Sequence, residues 1–582
     1  MKFSVLDIET NPKTLIDVIS IGHFDGKRFE QFNTIKDFLK FYLISKNQKN
    51  RCYAHFGGKF DFLFLIDTAL QERGYGFSCF LQGSRILKLS LRRDNQTWDF
   101  LDSYSILPKS LKALTTDFDV EHKKLEFNPY SSEYLENDCK GLYEVLEKFM
   151  SYLEEKSLRY TIAGQALRDF RRTFNLLGCQ LEPEQETFVR KCYYGGRVEI
   201  FQTQANKGNY YDIVSLYPYV MLNQFFPIGK PFNSSVYVPH LLGCYEVEVE
   251  IKDCDIPPVP FRWNQKLFFP IGKFTTWLCS PEVEIALENG TVKVLKGLVF
   301  PSKVRMFEDF VSHWFKKKQE AESESQRLIS KLMLNSLSGK FGQHRERKTI
   351  TTDCGIGTEP YSDVLGLSLK TEVSKATFIC PQLSAFITSY ARVDLWNRLK
   401  KTTDLFYCDT DSIFCSDTLK TGSELGQLKK ELSFESATFK LPKLYSLRLS
   451  NGTEHNVAKG FVEKKSWKEL CEKGTSDHFL LGLKSAIRHG KVLERKRISK
   501  TIKSSYDKRK VLSDGTTSPY RAREIMKKQL TNGLFLANME YVEERRTMRI
   551  SRIKKCAACG KILGYSTHSD WLCSSCRDKV SR

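Results

Sequence analysis

Carboxylates in pairs are the first residues of this chain that could do chemistry. Asp7 and Glu9 stand two apart in the apolar run FSVLDIET. Residues i and i+2 of a strand share a face, so both acids project together. Such a pair either holds a divalent cation or decorates a solvated strand edge. Asp61 follows in YAHFGGKFDFLFLID, where two glycines interrupt an apolar segment. Asp138 lies in YLENDCKGL, one helical turn after Tyr134. Four carboxylates brought together suit two hard cations, which can activate a water and stabilise an oxygen leaving phosphorus.

A second acid set lies in the middle of the chain. YYDIVSLYPYVM reads as a strand from Tyr210 to Ser215 that breaks at Pro218 and presents Asp212. DLFYCDTDSIF is an apolar run interrupted by Asp409-Thr410-Asp411, a pattern that predicts a hairpin with acids at its tip. Asp212 and Asp411 together would form another two-metal site. Between them, SQRLISKLMLNSLSGKFG reads as a helix. Leu328 pairs with Leu332 and Met333 with Leu337 at i, i+4, Ser336 interrupts the stripe, and Gly339 is the expected C-cap. Lys331 and Asn335 share a different face, where the lysine is either solvated or meets a triphosphate. Far along, Cys556-x-x-Cys559 and Cys573-x-x-Cys576 are separated by thirteen residues. That spacing predicts a tetrahedral zinc ribbon, the alternative being four unligated thiols.

The order D-x-E, F-D after a Gly-rich turn, and Y-x-x-x-D resembles the 3′–5′ proofreading exonuclease of DNA polymerases. The resemblance implies a ribonuclease-H-like fold. Asp7, Glu9, Asp61 and Asp138 would hold Mg²⁺ or Mn²⁺, Tyr134 would orient the attacking water, and Thr10 would touch the strand end. Phe56 stands where that family carries Asn. Lys124 is the candidate for its auxiliary lysine, a solvated Lys being the other reading. The central segments resemble motifs A, B and C of family B DNA polymerases and imply a right-hand palm, fingers and thumb. Asp212 and Asp411 would hold two metals with Asp409 beside them. Tyr217 would exclude a 2′-OH, Leu216 would lie by the phosphates, and Lys331 and Asn335 would meet the incoming dNTP. Ser338 replaces the family's motif B tyrosine.

KCYYGGR resembles the Y-x-G-G linker of the protein-primed viral and linear-plasmid branch, with Tyr193, Gly195 and Gly196 on single-stranded template. LPKLYSL resembles that branch's K-x-Y element, with Lys443 and Tyr445 at the primer terminus. The exonuclease motifs begin at residue 7, which leads us to expect no N-terminal domain of the cellular-replicase kind. The implied activity is template-directed DNA synthesis, protein-primed and strand-displacing, with proofreading. A DNA-primed family B enzyme and a non-catalytic DNA-binding scaffold are the alternatives. The implied partners are DNA template and primer, dNTPs and a terminal protein.

These motifs need elements to position them, and the chain divides accordingly. We expect an exonuclease domain over 1–155 (α/β), a connector over 156–200 and palm over 201–224. A first palm insertion is expected over 225–305, fingers over 306–345 and a second insertion over 346–375. Palm resumes over 376–455, a thumb and basic region, helical in pattern, covers 456–550, and the zinc module covers 551–582. The 582 residues carry a net charge of +21. Residues 481–582 hold 25 Lys+Arg against 9 Asp+Glu, and the preceding 480 hold 65 against 60. That concentration fits phosphate contact by the thumb and zinc module, the other readings being a solvated basic surface or an anionic membrane surface, for which no amphipathic helix with a clear apolar stripe accompanies the charge. No run of about 18 apolar residues suggests a membrane span. MKFSVLDIET lacks an apolar signal core, so host-cell cytoplasm is expected, where clustered cysteines bind metal rather than pair.

Overall fold

A computed structural model describes residues 3–531, apart from 49, 73, 356, 462–465 and 503–505. The four clustered cysteines and the expected zinc module therefore lie outside the described residues. Phe3–Thr10, the strand of Asp7 and Glu9, runs antiparallel to Val18–Phe24 and parallel to Arg51–Ala54, which is parallel in turn to Gln96–Asp102. The helix Ser132–Tyr152 covers this part of the sheet, burying Leu135, Cys139, Leu142, Val145, Leu146 and Phe149. Gly22 permits the close approach, since a Cβ there would sit 2.8 Å from Leu135 Cγ. Ser131 caps the helix by accepting from the Tyr134 amide.

The sheet does not end with this domain. Glu346–Thr351 pairs antiparallel with Gly76–Gln82, and Leu367–Val373 and Thr358–Ser362 extend it outward, giving ten strands in all. Most of the expected second insertion is thus an annex of the exonuclease sheet. Ile350 and Leu367 share a core with Leu6, Ile8, Phe62 and Leu89. Leu483, Ile487 and Val492, from the expected thumb, pack into the same core.

The palm is a five-stranded antiparallel sheet in the order 428–434, 208–213, 412–415, 405–409, 198–200. The helix Pro381–Leu399 lies in the interior with 14 of its residues buried, and its buried polar side chains find partners: Gln382 donates to Cys179 O, Ser384 to Ser338 O, and Arg392 pairs with Glu282. Helices Glu308–Gln319 and Glu324–Ser336 pack against each other within the span expected for the fingers. A separate sheet in the order 232–234, 290–300, 242–251, 272–279 fills the span of the first insertion.

Three local expectations need correcting. The motif A strand is Gly208–Ile213, and a helix begins at Leu216, so Pro218 sits in its first turn rather than breaking a strand. The motif B helix ends at Ser336 with Leu337 as C-cap, so Gly339 lies beyond the cap position. The described residues after 455 are not largely helical. Its main pairing is Thr475–Leu480 with Arg495–Lys500, and its helices before Ala522 are five and seven residues long.

Candidate active sites

In the exonuclease domain, carboxylate oxygens of Asp7, Glu9 and Asp138 all lie within 4.8 Å of one another. Asp61 is buried beneath them and accepts the Ile8 amide at 3.0 Å, so it braces the strand between the two front acids. Burial first, and the Asp138 charge second, push the Asp7 carboxyl up to about 7. Burial and Asp7 push Glu9 up to about 8. Burial likewise raises Asp61 and Asp138. Lys124 Nζ is paired with Asp138 Oδ2 and lies 4.6 Å from the centre of the Tyr134 ring. Burial opposes the lysine's charge, but Asp138 and its hydrogen bond outweigh that and raise its pKa. The other oxygen of Asp138 is buried with no hydrogen-bond partner. A buried anionic oxygen left bare, among acids that resist ionisation, fits a site built for divalent cations. The structure therefore brings together Asp7, Glu9, Asp138, Tyr134 and Lys124, with Asp61 behind them. Thr10 closes the strand, buried beside a bulge.

Phe56, next on the Asp61 loop, has φ of +67° and is 43% exposed. A left-handed Phe is a strained conformation, and such strain collects at functional sites. Its ring lies 4.6 Å from the Arg85 guanidinium and edge-on to Tyr104 at 5.2 Å. Arg85 is also stacked on Tyr104 and is anchored at 2.7 Å by the fully buried Asp102 carboxylate.

In the palm, pairing places Asp212 opposite Ser412 and Asp409 opposite the same Ser412, so motif A abuts the hairpin tip. The Ile213 amide donates to Asp411 O at 2.7 Å. Burial, then Asp411, pushes Asp212 up to about 7, and burial and Asp409 raise Asp411. Asp409 is held differently. Its carboxylate accepts Tyr407 Oη at 3.1 Å and Thr410 Oγ1 at 3.1 Å, and pairs with Lys443 at 3.0 Å. Ser215, Thr410 and Lys443 all have positive φ, so three strained residues surround this site. Lys331 and Asn335 are exposed on the fingers helix, and Lys331 lies close enough to ease the charge on both Asp212 and Asp411.

Tyr217 lines a cavity of about 280 Å³ with Tyr193, Tyr194, Gly195, Ser338, Gly339 and Thr388. Leu216 is 2% exposed and packs into the core, so it offers no open surface to a nucleotide in this structure. Tyr445 is 8% exposed within a cluster of Tyr407, Phe414 and Phe439, which makes it a support for Tyr407 rather than an open surface. Gly196 touches the hairpin tip: a Cβ there would lie 2.7 Å from the Thr410 side chain.

Sequence reasoning missed the arginines that hold this linker. Arg262 Nη2 donates to Tyr193 O at 2.5 Å, and Arg392 Nη1 to Tyr194 O and Gly195 O at 2.9 and 3.0 Å. Arg392 is buried by pairing with Glu282 at 2.7 Å. No local spacing signals this, because the partners are far apart in sequence. A larger cleft of about 1120 Å³ lies between the exonuclease sheet and the segment after the fingers. Arg85, Arg159, Arg347 and Lys348 line it with Tyr104 and Tyr160, and Gly339 lines both cavities. Cations interleaved with aromatics suit a single strand, whose phosphates and bases they meet in turn.

A palm carrying one acid cluster, joined to a ribonuclease-H-like domain carrying another, defines a multidomain DNA polymerase. The family model "DNA polymerase type B, organellar and viral" matches residues 42–132 and 126–421, and the chain belongs to that family. It is 26% identical over 498 residues to the DNA-directed DNA polymerase of Enterobacteria phage PRD1, covering 79% of this chain and 85% of that one. It is 26% identical to the DNA polymerase of Bacillus phage phi29 (59% and 66% covered) and to a probable DNA polymerase of Podospora anserina, of whose length it spans 40%. The solved phi29 polymerase with primer-template DNA and incoming nucleotide shares the fold, with a TM-score of 0.70 at 19% identity over 86% of this chain and 99% of that chain. Among the described residues no helix is long and apolar enough to cross a membrane.

Proposed function

We propose that this type B polymerase starts synthesis on a hydroxyl of a terminal protein, displaces the non-template strand and proofreads with a separate 3′–5′ exonuclease. The observation that carries this reading is the setting of the Asp409-Thr410-Asp411 tip, with Gly196 of the Y-x-G-G linker against Thr410 and Lys443 of the K-x-Y element on Asp409. A linker and a primer-terminus element converging on one turn suit an enzyme that accepts more than one kind of primer. The sheet that fills the span of the first insertion adds surface for a protein partner.

In polymerisation, Asp212 and Asp411 would hold Mg²⁺, which lowers the pKa of the attacking hydroxyl and neutralises the departing pyrophosphate. Lys331 supplies positive charge to the triphosphate, and Asn335, on the same exposed face, flanks the nucleotide. Tyr217 closes the small cavity under the sugar and leaves no room for a 2′-OH. In degradation, Asp7, Glu9, Asp61 and Asp138 would hold the metals, with Asp61 also bracing the strand through the Ile8 amide. Tyr134, with Lys124 over its ring, orients the water, and Thr10 meets the strand end. Phe56 presents a stacking face where an amide would have offered hydrogen bonds, so it grips bases with little regard to sequence. The basic cleft leads single-stranded template toward Gly339 and the nucleotide cavity.

Cys556, Cys559, Cys573 and Cys576 have the spacing of a zinc ribbon, and the Lys/Arg around them suit DNA or the terminal protein. The setting is the cytoplasm of a host cell. The test is incubation of the enzyme with the products of neighbouring reading frames, primer-free template and labelled dNTP. Label made covalent to a protein supports the reading. Label found only in primed DNA chains refutes protein priming and leaves a DNA-primed polymerase.

A further inference from the structure

The basic C-terminal region does something besides meeting phosphates. Residues 506–518 leave the thumb and run along the outer edge of the palm strand Val198–Ile200, whose inner edge pairs with Leu405–Asp409. That outer edge would otherwise present unpaired backbone groups. Instead the Ile200 amide donates to Tyr506 Oη at 3.0 Å. Lys508 Nζ donates to Val198 O at 3.2 Å, and Thr517 donates from Oγ1 to Ile200 O and from its amide to Phe201 O, both at 2.8 Å. The Thr203 amide donates to Gly515 O at 2.8 Å.

The strand so enclosed is tied to the catalytic turn. Val198 lies directly opposite Asp409, and the Thr410 amide donates to Arg197 O at 2.7 Å. Arg197 and Glu199 are each 1% exposed and paired at 2.5 Å. Arg509, also 1% exposed, lies 3.8 Å from Glu199 and is fixed by donating to Thr517 Oγ1 and Asp255 O at 2.8 Å each. Three buried or half-buried cations therefore surround one carboxylate behind the turn. None of them is free to meet DNA, although in sequence Lys508 and Arg509 belong to the basic excess. The turn needs holding, because Thr410, a β-branched residue, has a φ of +62°.

We propose that residues 506–518 form a strap that sets the position of the Asp409-Thr410-Asp411 turn, with Tyr506 and Arg509 as positioning residues for polymerisation. This rests on assigning polymerisation to that turn. Reacting atoms tolerate little displacement, and a shift on the order of 1 Å costs about 100-fold in rate. The strap's effect is therefore on turnover rather than on nucleotide or DNA affinity.

The test uses the full chain with Tyr506→Phe, which deletes one oxygen at constant shape, and with Arg509→Leu and Arg509→Lys. Single-nucleotide incorporation gives kcat and KM for dNTP, a binding assay gives Kd for primed DNA, and degradation of a single strand reports the other site. We expect Tyr506→Phe to lower kcat roughly 10-fold and Arg509→Leu more. KM, DNA affinity and degradation should hold within twofold, and Arg509→Lys should recover part of the loss. Unchanged kcat in both Tyr506→Phe and Arg509→Leu overturns the proposal. So does equal loss of degradation, or a loss confined to DNA affinity, which would make the segment a DNA contact after all. If Arg509→Leu does not fold, Tyr506→Phe decides alone. Asp411→Ala run in parallel separates the two readings: extension surviving in Asp411→Ala refutes the site assignment itself, whatever the strap variants do.

Discussion

Replacing Asp7 by Asn should make the metal-free protein more stable while abolishing degradation. The Asp7 carboxyl is raised from 3.8 to about 7 by burial and by Asp138, with Lys124 acting in the opposite direction. A carboxyl whose folded pKa lies above its unfolded value keeps its full contribution below pH 3.8. It loses that contribution progressively as pH rises through about 7. Converted in full, the change is about 4 kcal/mol against folding above pH 7. Asp7 retains a solvent-facing edge and shares its protons with Glu9 and Asp138, so roughly half, about 2 kcal/mol, is the expected gain from Asn at pH 8. The assay is urea unfolding of the full chain, followed by tryptophan fluorescence, in EDTA at pH 5 and pH 8 and again with Mg²⁺. The variant should exceed wild type by about 2 kcal/mol at pH 8 in EDTA, by less at pH 5, and the gap should close when cation binding stabilises the wild type. A variant less stable than wild type at pH 8 without metal would refute the idea that these acids are held together at a cost that cations offset.

Three further outcomes follow from other parts of the molecule. His23 is 4% exposed, neither ring nitrogen has a partner, and burial lowers its pKa to about 4. Stability should therefore fall as pH drops from 6.5 toward 4, by up to about 3 kcal/mol, and His23→Phe should flatten that slope in thermal unfolding. Phe56→Ala should raise KM for single-strand degradation about 10-fold, the loss of one stacked base, with extension unchanged; a fall in kcat alone would count against stacking. Ser338→Tyr fills the cavity beside Tyr217 and should tighten dNTP binding, seen as a lower KM; unchanged or higher KM would speak against a base-pair pocket there.

The acids were legible because each lies in a short apolar run whose period places it, as at Asp7 with Glu9 and at the Asp409–Asp411 tip. Lys124 was legible by type, but only the fold of 123–138 could decide between a solvated side chain and a partner for Asp138. What escaped was set by partners distant in sequence. Thr352 meets Phe77 across 275 residues, and no local pattern marks residues 346–373 as an extension of the first domain's sheet. Pro218 was misread because a proline suits a helix's first turn as well as a strand's end. The region after 455 is helical in sequence pattern, yet among its described residues the pairing of Thr475–Leu480 with Arg495–Lys500 overrides that weak preference. Contacts with residues some 250 to 310 positions away, Lys508 on Val198 O and Arg509 on Glu199 and Asp255 O, likewise remove these two cations from the charge available to DNA.

The central claim is that two distinct acid clusters run two distinct reactions, joining at Asp212 and Asp411 and cutting at Asp7, Glu9 and Asp138. Its most direct measurement is a primed-template assay in Mg²⁺ that scores extension and 3′–5′ degradation together, on wild type, Asp411→Ala and Asp7→Ala. The account predicts that Asp411→Ala loses extension and keeps degradation, while Asp7→Ala loses degradation and keeps extension. Equal loss of both activities in each variant would contradict it.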